Sequence, residues 1–112
     1  MNGRPKKQFD STAPPSPLTA SLSLFEAKEG FERILVEELT KLVRRSRQEA
    51  GCLLFDLYRV SGKSSSFALY EVWELREAMD AHLGNLPTTQ FKVASARYLA
   101  QPIQVFELDE MM

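Results

Sequence analysis

Two neighbouring segments of the sequence carry apolar residues on both sides of an extended chain. They are CLLFDLYRV (52–60) and FALYEVWE (67–74), and the turn SGKSSS between them predicts a β-hairpin. Side chains alternate between the two faces of a strand. In the first strand, one face is expected to carry Leu53, Phe55 and Leu57 and the other Cys52, Leu54 and Tyr58. A sheet with one face in water alternates apolar with polar residues, so both faces of this hairpin must be covered.

The remaining elements follow from the hydrophobic periodicity around the hairpin. Residues 18–28 alternate Leu with Ser, which is typical of a strand, and residues 31–43 repeat apolar residues at helical steps until Gly51 ends the helix. A second helix is predicted over 75–86, where Pro87 interrupts it, then a helical piece over 88–98 and a strand over 101–109. The order β-α-β-β-α-β predicts an α+β fold, a ferredoxin-like split βαβ with an antiparallel sheet.

Both helices of such a fold cover the same face of the sheet. The simplest cover for the other face is a second copy of the chain, so we expect a homodimer. On this face Tyr70 and Tyr58 are expected to be dimer-face or core aromatics. Cys52, at a strand start, is expected to be a small buried apolar residue.

Length and composition fit one domain. The 112 residues are 44% hydrophobic, enough for a single core over 18–112. Residues 1–17 combine four prolines with Ser, Thr and cations, which predicts a flexible N-terminal arm. With 14 basic and 15 acidic residues, the net charge of -1 gives no surface for nucleic acid. Short apolar runs and the absence of a signal-peptide pattern favour a cytoplasmic protein without a membrane partner.

The candidate site is formed by Trp73 and the single His82. Strand alternation places Trp73 on one face with Phe67, Leu69 and Glu71, and helical spacing turns Met79 and His82 toward the same sheet. Trp73 and His82 are therefore expected to line one cavity. Core packing is the alternative, since single aromatic and His side chains at such spacing usually pack. An inward Glu71 needs a partner, for which Arg47 and Arg97 are the candidates. Neither Cys52 nor His82 has neighbours at metal-ligand spacing, so no metal site is predicted.

Five short motifs occur in a fixed order along the chain. They are Lys-x-Gly at 28–30, SRQEAGC at 46–52, FDLY at 55–58, F-x-L-x-E-x-W at 67–73 and A-x-x-A-H-L at 78–83. Through them the chain resembles the antibiotic biosynthesis monooxygenase family over residues 20–108. The resemblance implies a dimeric α+β barrel in which two ferredoxin-like sheets pack face to face.

The resemblance also implies an activity. Similar proteins include cofactor-independent monooxygenases that oxidise quinols or anthrones with O2, so the expected substrate is a small aromatic quinol or polyphenol. The reaction needs a base and a dry cavity, and imidazole exchanges protons near neutral pH, which makes His82 the expected base. Trp73 is expected to stack on the substrate and donate its N–H. The expected substrate-binding residues are Glu71, Leu69, Phe67, Met79 and Gln90.

The sequence departs from the family pattern at two places. Many relatives carry a second His where this chain reads TTQF, so Gln90 stands in its place. Haem-degrading relatives use an Asn on the first strand, where TASLSLF offers Ser and Thr, so haem cleavage is disfavoured. Two alternatives to the oxygenase stay open: an isomerase of a small polar substrate, and a non-catalytic dimeric ligand-binding or stress-associated module.

Overall fold

The computed structural model describes residues 18–111, and the predicted arm over 1–17 lies outside them. The elements are β1 (Thr19–Glu26), α1 (Glu32–Ser46), β2 (Cys52–Arg59), β3 (Ser66–Trp73), α2 (Arg76–Gly84), α3 (Leu86–Ser95), a 3₁₀ turn (Ala96–Tyr98) and β4 (Gln104–Leu108). The strands form an antiparallel sheet in the order β2-β3-β1-β4. This order confirms the predicted ferredoxin-like α+β fold. The sheet of one chain is open, and its closure into a dimeric barrel stays a prediction.

The helices differ from the predicted ones at their ends. Helix α1 stops at Ser46, and a turn connects it to Gly51, whose φ of +82° is a backbone conformation that favours glycine. Pro87 begins a helix instead of interrupting one, because it lies in the first turn of α3, where its missing N–H needs no partner. Asn85 caps α3 by accepting a hydrogen bond from the Thr88 backbone N–H at 2.9 Å. None of the helices within 18–111 is long and apolar enough to cross a membrane.

The core lies between the sheet and the helices. Leu35 and Leu39 of α1 are completely buried. The strand residues that face the helices are buried as well: Phe25 on β1, Phe55 on β2, and Phe67, Leu69 and Trp73 on β3. Two of the three interior positions of β1 are the small residues Ser21 and Ser23, which leave space above the centre of the sheet.

A β-bulge changes which side chains of β2 face the core. Cys52 is directly opposite Trp73, and Leu54 is opposite Val72, so the register shifts between them. The predicted faces of Cys52 and Leu53 are therefore wrong. Cys52 packs against the core on the helix side, while Leu53 is 57% exposed.

The face of the sheet away from the helices carries apolar residues in cross-strand rows. One row is Leu108, Ala20, Val72 and Leu54; the next is Phe106, Leu22, Tyr70 and Asp56; the third is Gln104, Leu24, Ala68 and Tyr58. We call this surface the open face. Phe106 is 49% exposed and Tyr58 53% exposed, so nothing within 18–111 covers it fully.

Candidate active site

A cavity of about 740 Å³ lies between the sheet and helices α2 and α3. Its floor consists of two cross-strand rows, one of Glu71, Ser21 and Glu107 and one of Leu69, Ser23 and Val105. Its walls come from Met79, His82 and Leu83 of α2, Thr88, Phe91 and Lys92 of α3, and the segment before β4. This volume is typical of pockets for small ligands. The two serines create the space, because a larger side chain on β1 would fill it.

The imidazole of His82 lines the cavity and is held by a carboxylate. Its Nδ1 atom lies 2.7 Å from Oε1 of Glu49, and Thr88 Oγ1 lies 3.5 Å from the same nitrogen. His82 is only 3% exposed. A carboxylate at Nδ1 favours the tautomer in which Nδ1–H donates to Glu49 and Nε2 accepts a proton. The arrangement is therefore suited to proton abstraction from a ligand.

Glu49 reaches His82 because the chain turns back sharply after α1. Gly51 passes so close to α2 that a Cβ atom at this position would lie 2.5 Å from the Ala78 Cβ. The Gly51 carbonyl also accepts a hydrogen bond from the Glu74 N–H at 2.7 Å, just before α2. These contacts hold the turn that carries Glu49 against the helix that carries His82.

Trp73 supports the site from behind. It is completely buried and does not line the cavity, so the predicted stacking wall is wrong. Its ring centroid lies 4.8 Å from that of His82 with an interplanar angle of 32°, and Phe55 packs edge-on against both rings. The Trp73 indole N–H donates to Oε1 of Glu71 at 2.8 Å. Trp73 therefore positions two other residues instead of contacting a ligand.

Glu71 is a buried carboxyl group at the floor of the cavity. It is 5% exposed, and burial raises its pKa, while the hydrogen bond from Trp73 and the nearby His82 and Lys92 act in the opposite direction. The predicted pairing with Arg47 or Arg97 is wrong. Arg47 contacts Asp56 at 2.8 Å, and Arg97 lies over the Tyr98 ring.

The other predicted ligand-binding residues divide into two groups. Leu69 and Met79 line the cavity, and their contact with a substrate stays a prediction. Phe67 is buried and does not line the cavity, with the Arg59 guanidinium 5.8 Å from its ring, so the structure does not bring it to the site. Gln90 is exposed on α3 and lines a separate surface depression with Thr89 and Val93, so the structure does not bring it to the cavity.

Two charged side chains at the cavity mouth differ in whether they are paired. Glu107 accepts two hydrogen bonds from Arg76, at 2.8 and 3.0 Å, and these hold the pKa of Glu107 below its usual value. Lys92 is exposed and lines the cavity, with no ion pair to another residue within 18–111. In that same part of the chain, no three His, Cys, Asp or Glu side chains are grouped so that they could hold a metal ion.

The sequence reasoning missed Glu49, Thr88, Lys92 and the two cavity serines. Nothing in the spacing of Glu49 marks it, because its contact with His82 spans 33 positions of the chain. Ser21 and Ser23 do carry a signal. In a central strand, small polar residues at the inward positions indicate space beneath the helices.

The fold and the cavity define a small α+β protein with a cavity of the size that small ligands occupy. The chain belongs to the antibiotic biosynthesis monooxygenase family, because the model of that family matches residues 22–97.

Individual relatives agree with this assignment. The uncharacterised protein sll1783 of Synechocystis is 32% identical over 63 residues, which cover 56% of this chain and 43% of that protein. YjcS of Bacillus subtilis, also uncharacterised, is 31% identical over 65 residues, which cover 58% of this chain and 60% of YjcS. The chain thus spans about half the length of these curated relatives. The crystal structure of PA3566 from Pseudomonas aeruginosa superposes with a TM-score of 0.79 at 26% identity, covering 89% of this chain and 100% of that one.

Proposed function

We propose that the protein is a monooxygenase that oxidises a small aromatic quinol or polyphenol with O2, with His82 as the base. The observation that carries the proposal is the His82–Glu49 pair at the wall of a largely apolar cavity, with 2.7 Å between Nδ1 and Oε1. Membership of the monooxygenase family supports the same class of reaction.

The first chemical step is proton transfer from a phenolic hydroxyl to Nε2 of His82. Glu49, which is partly buried, stabilises the imidazolium that forms, as the carboxylate behind a catalytic histidine does. The resulting phenolate is an electron-rich reductant of O2, so in this proposal the substrate itself supplies the electrons and no cofactor takes part.

The cavity lining suits such a substrate. Leu69, Met79 and Phe91 offer apolar surface to an aromatic ring and exclude water from the anion. The hydroxyl groups of Ser21, Ser23 and Thr88 are available for hydrogen bonds to the substrate oxygens. A quinol, which is flat and carries oxygens at its edge, matches this combination.

The proposed functional unit is a homodimer in which the open faces of two chains pack together. An apolar face of four strands is large for a monomer to expose to water. The covered area should reach at least ~1,200 Å², which is the lower end for a specific interface. The site residues of one chain lie on the opposite side of its sheet, so dimerisation supports the cavity from below.

A second candidate function is isomerisation of a small polar substrate. It is favoured by one observation, namely that Lys92 and three hydroxyl side chains line the cavity. Such groups would bind an anionic or hydroxylated molecule. This reaction would consume no oxygen, which distinguishes it from the first proposal.

The test is oxygen uptake by the purified full chain with a panel of benzo- and naphthohydroquinones, corrected for spontaneous oxidation. His82→Ala should lose on the order of 10²-fold in rate, and His82→Gln should not restore it, because an amide does not accept the proton. Glu49→Gln should lose activity as well, while Glu77→Gln, an exposed glutamate on α2, should not. Absence of oxygen uptake with every quinol would contradict the proposal, and a His82→Ala enzyme as active as the wild type would remove His82 from it.

A further inference from the structure

Two buried titratable side chains, His82 and Glu71, line the same cavity. We propose that Glu71 is a second catalytic residue, which protonates the oxygen that leaves when a peroxide intermediate of the substrate collapses. This inference rests on the proposed quinol oxidation and assigns to Glu71 a step that His82 cannot perform alone.

The position of Glu71 fits this task. Its Oε1 atom is held by the Trp73 indole N–H at 2.8 Å, so the carboxyl group is fixed on the cavity floor between Phe55 and Ser21 of the neighbouring strands. Within 18–111, Glu71 forms no ion pair with Lys or Arg. The two arginines that the sequence suggested as its partners contact other residues, Arg47 the Asp56 carboxylate and Arg97 the Tyr98 ring. A carboxyl group used only for structure would be expected to have a cationic partner at this depth.

The surroundings of Glu71 favour its acid form. Burial raises its pKa, and the charged or titratable groups around it are Glu49 after α1, Cys52 on β2, His82 on α2, Lys92 on α3 and Glu107 on β4. Glu49 raises the pKa further, whereas the hydrogen bond from Trp73 and the charges of His82 and Lys92 lower it without cancelling the effect of burial. A carboxyl group that keeps its proton nearer neutral pH is a suitable acid.

The reaction has a step that needs an acid and a base together. After His82 has taken the phenolic proton, the ring carbon beside the phenolate forms a C–O bond with O2, and the proton returns from His82 to give a ring hydroperoxide. The C–H bond at that carbon then breaks, with its proton passing to Nε2 of His82 and its electron pair forming a carbonyl. The O–O bond breaks at the same time, and the outer oxygen leaves as water with the proton of Glu71.

The step balances in atoms and electrons. One quinol and one O2 give one hydroxyquinone and one water, and the substrate loses the four electrons that O2 gains. The proton that His82 took from the ring carbon then passes to Glu71, which restores the starting state of both residues. Without the acid, the hydroperoxide instead expels its two oxygens together, so that one quinol and one O2 give the simple quinone and hydrogen peroxide.

The ratio of these two outcomes tests the proposal. The experiment compares the full-length wild type with Glu71→Gln, using naphthohydroquinone and isotopically labelled O2, and measures labelled hydroxynaphthoquinone and hydrogen peroxide. Gln keeps an oxygen that accepts the Trp73 N–H but has no acidic proton. We expect the ratio of hydroxyquinone to peroxide to fall on the order of 10²-fold, while oxygen is still consumed through His82. Glu77→Gln, which makes the same substitution on the exposed side of α2, should leave the ratio unchanged.

Three results would overturn the inference, and they are distinguishable. An unchanged ratio in Glu71→Gln removes Glu71 from the chemistry but leaves the proposed function intact. Absence of oxygen uptake by the wild type contradicts both the proposed quinol oxidation and the role of Glu71 in it. Fluorescence of Trp73, the single tryptophan, reports whether the variant has folded. If Glu71→Gln does not fold, the pH dependence of the wild type provides the test. Peroxide release must increase with pH as Glu71 loses its proton, so a ratio of hydroxyquinone to peroxide that is independent of pH overturns the inference.

Discussion

The Trp73 indole N–H donates to the carboxyl group of Glu71 at 2.8 Å, between side chains two positions apart on one face of β3. The rest of the indole packs against the His82 imidazole, with 4.8 Å between centroids. One completely buried side chain thus fixes both groups that we expect to exchange protons with a ligand. This explains why a large aromatic residue is needed here although it does not reach the cavity.

Substitutions of Trp73 should separate its two contributions to stability. Trp73→Phe keeps most of the packing but leaves a buried oxygen of Glu71 without its donor, which should cost about 1–3 kcal/mol of the free energy of unfolding. Trp73→Ala also opens a cavity and should cost about 3–5 kcal/mol. Urea denaturation of both variants measures the difference. A Trp73→Phe variant as stable as the wild type would show that the hydrogen bond to Glu71 contributes nothing measurable, and equal losses in the two variants would contradict the cavity term.

The raised pKa of Glu71 predicts a pH dependence of stability with a definite sign. Burial raises it above the ordinary value of 4.5, so between that value and the folded-state pKa the folded chain binds more protons than the unfolded chain. Stability from this group is therefore complete below pH 4.5 and decreases as the pH rises through the folded-state pKa. Glu71→Gln removes the effect, because its amide does not titrate.

The measurement is the difference in unfolding free energy between wild type and Glu71→Gln over a series of pH values. The wild type should lose its relative advantage as the pH increases. Glu26 and Glu107, whose pKa values are lowered by hydrogen bonds from Ser65 and Arg76, act in the opposite direction but are present in both proteins and cancel. A difference in unfolding free energy that does not change with pH would contradict a raised pKa of the buried Glu71 carboxyl group.

The sequence predicted the fold well because its signals are local. Alternation in the strands, helical steps in 31–43 and the hairpin turn each depend on neighbouring residues, and their order selects one topology. The site was predicted only in part. The Glu49–His82 contact depends on a turn that folds back on α2, and the bulge between Cys52 and Leu54 inverts two side chains, so neither follows from residue spacing. Trp73 was placed on the correct face, but its depth depends on packing by Phe55 and His82.

Gly51 and Gly62 form a matched pair that tests the connection between this turn and the site. Both have φ near +80°, so an Ala at either position should cost about 1–2 kcal/mol for the left-handed conformation. At Gly62 an added Cβ meets nothing within 4 Å, whereas at Gly51 it would lie 2.5 Å from the Ala78 Cβ on α2. Gly51→Ala should therefore lose about 1–3 kcal/mol more than Gly62→Ala.

The clash at Gly51 should also affect activity. Relief of the contact must move α2 away from the turn that carries Glu49, and this lengthens the Glu49–His82 contact. We expect slower oxygen uptake for Gly51→Ala at a temperature where both glycine variants are folded, and a rate close to the wild type for Gly62→Ala. Equal rates in the two variants would show that the turn does not position His82.

Dimerisation through the open face is the last prediction, and a pair of Val→Arg substitutions tests it. Val72 lies on the open face, between Ala20 and Leu54 in one of its cross-strand rows, whereas Val93 is 79% exposed on α3, on the other side of the molecule. An arginine at Val72 would place two unpaired charges in an apolar interface, because both chains of a twofold dimer carry the substitution. Sedimentation at micromolar concentration should therefore show a dimer for the wild type and Val93→Arg and a monomer for Val72→Arg. A monomeric wild type, or a Val72→Arg variant that sediments as a dimer, would contradict an interface at this face.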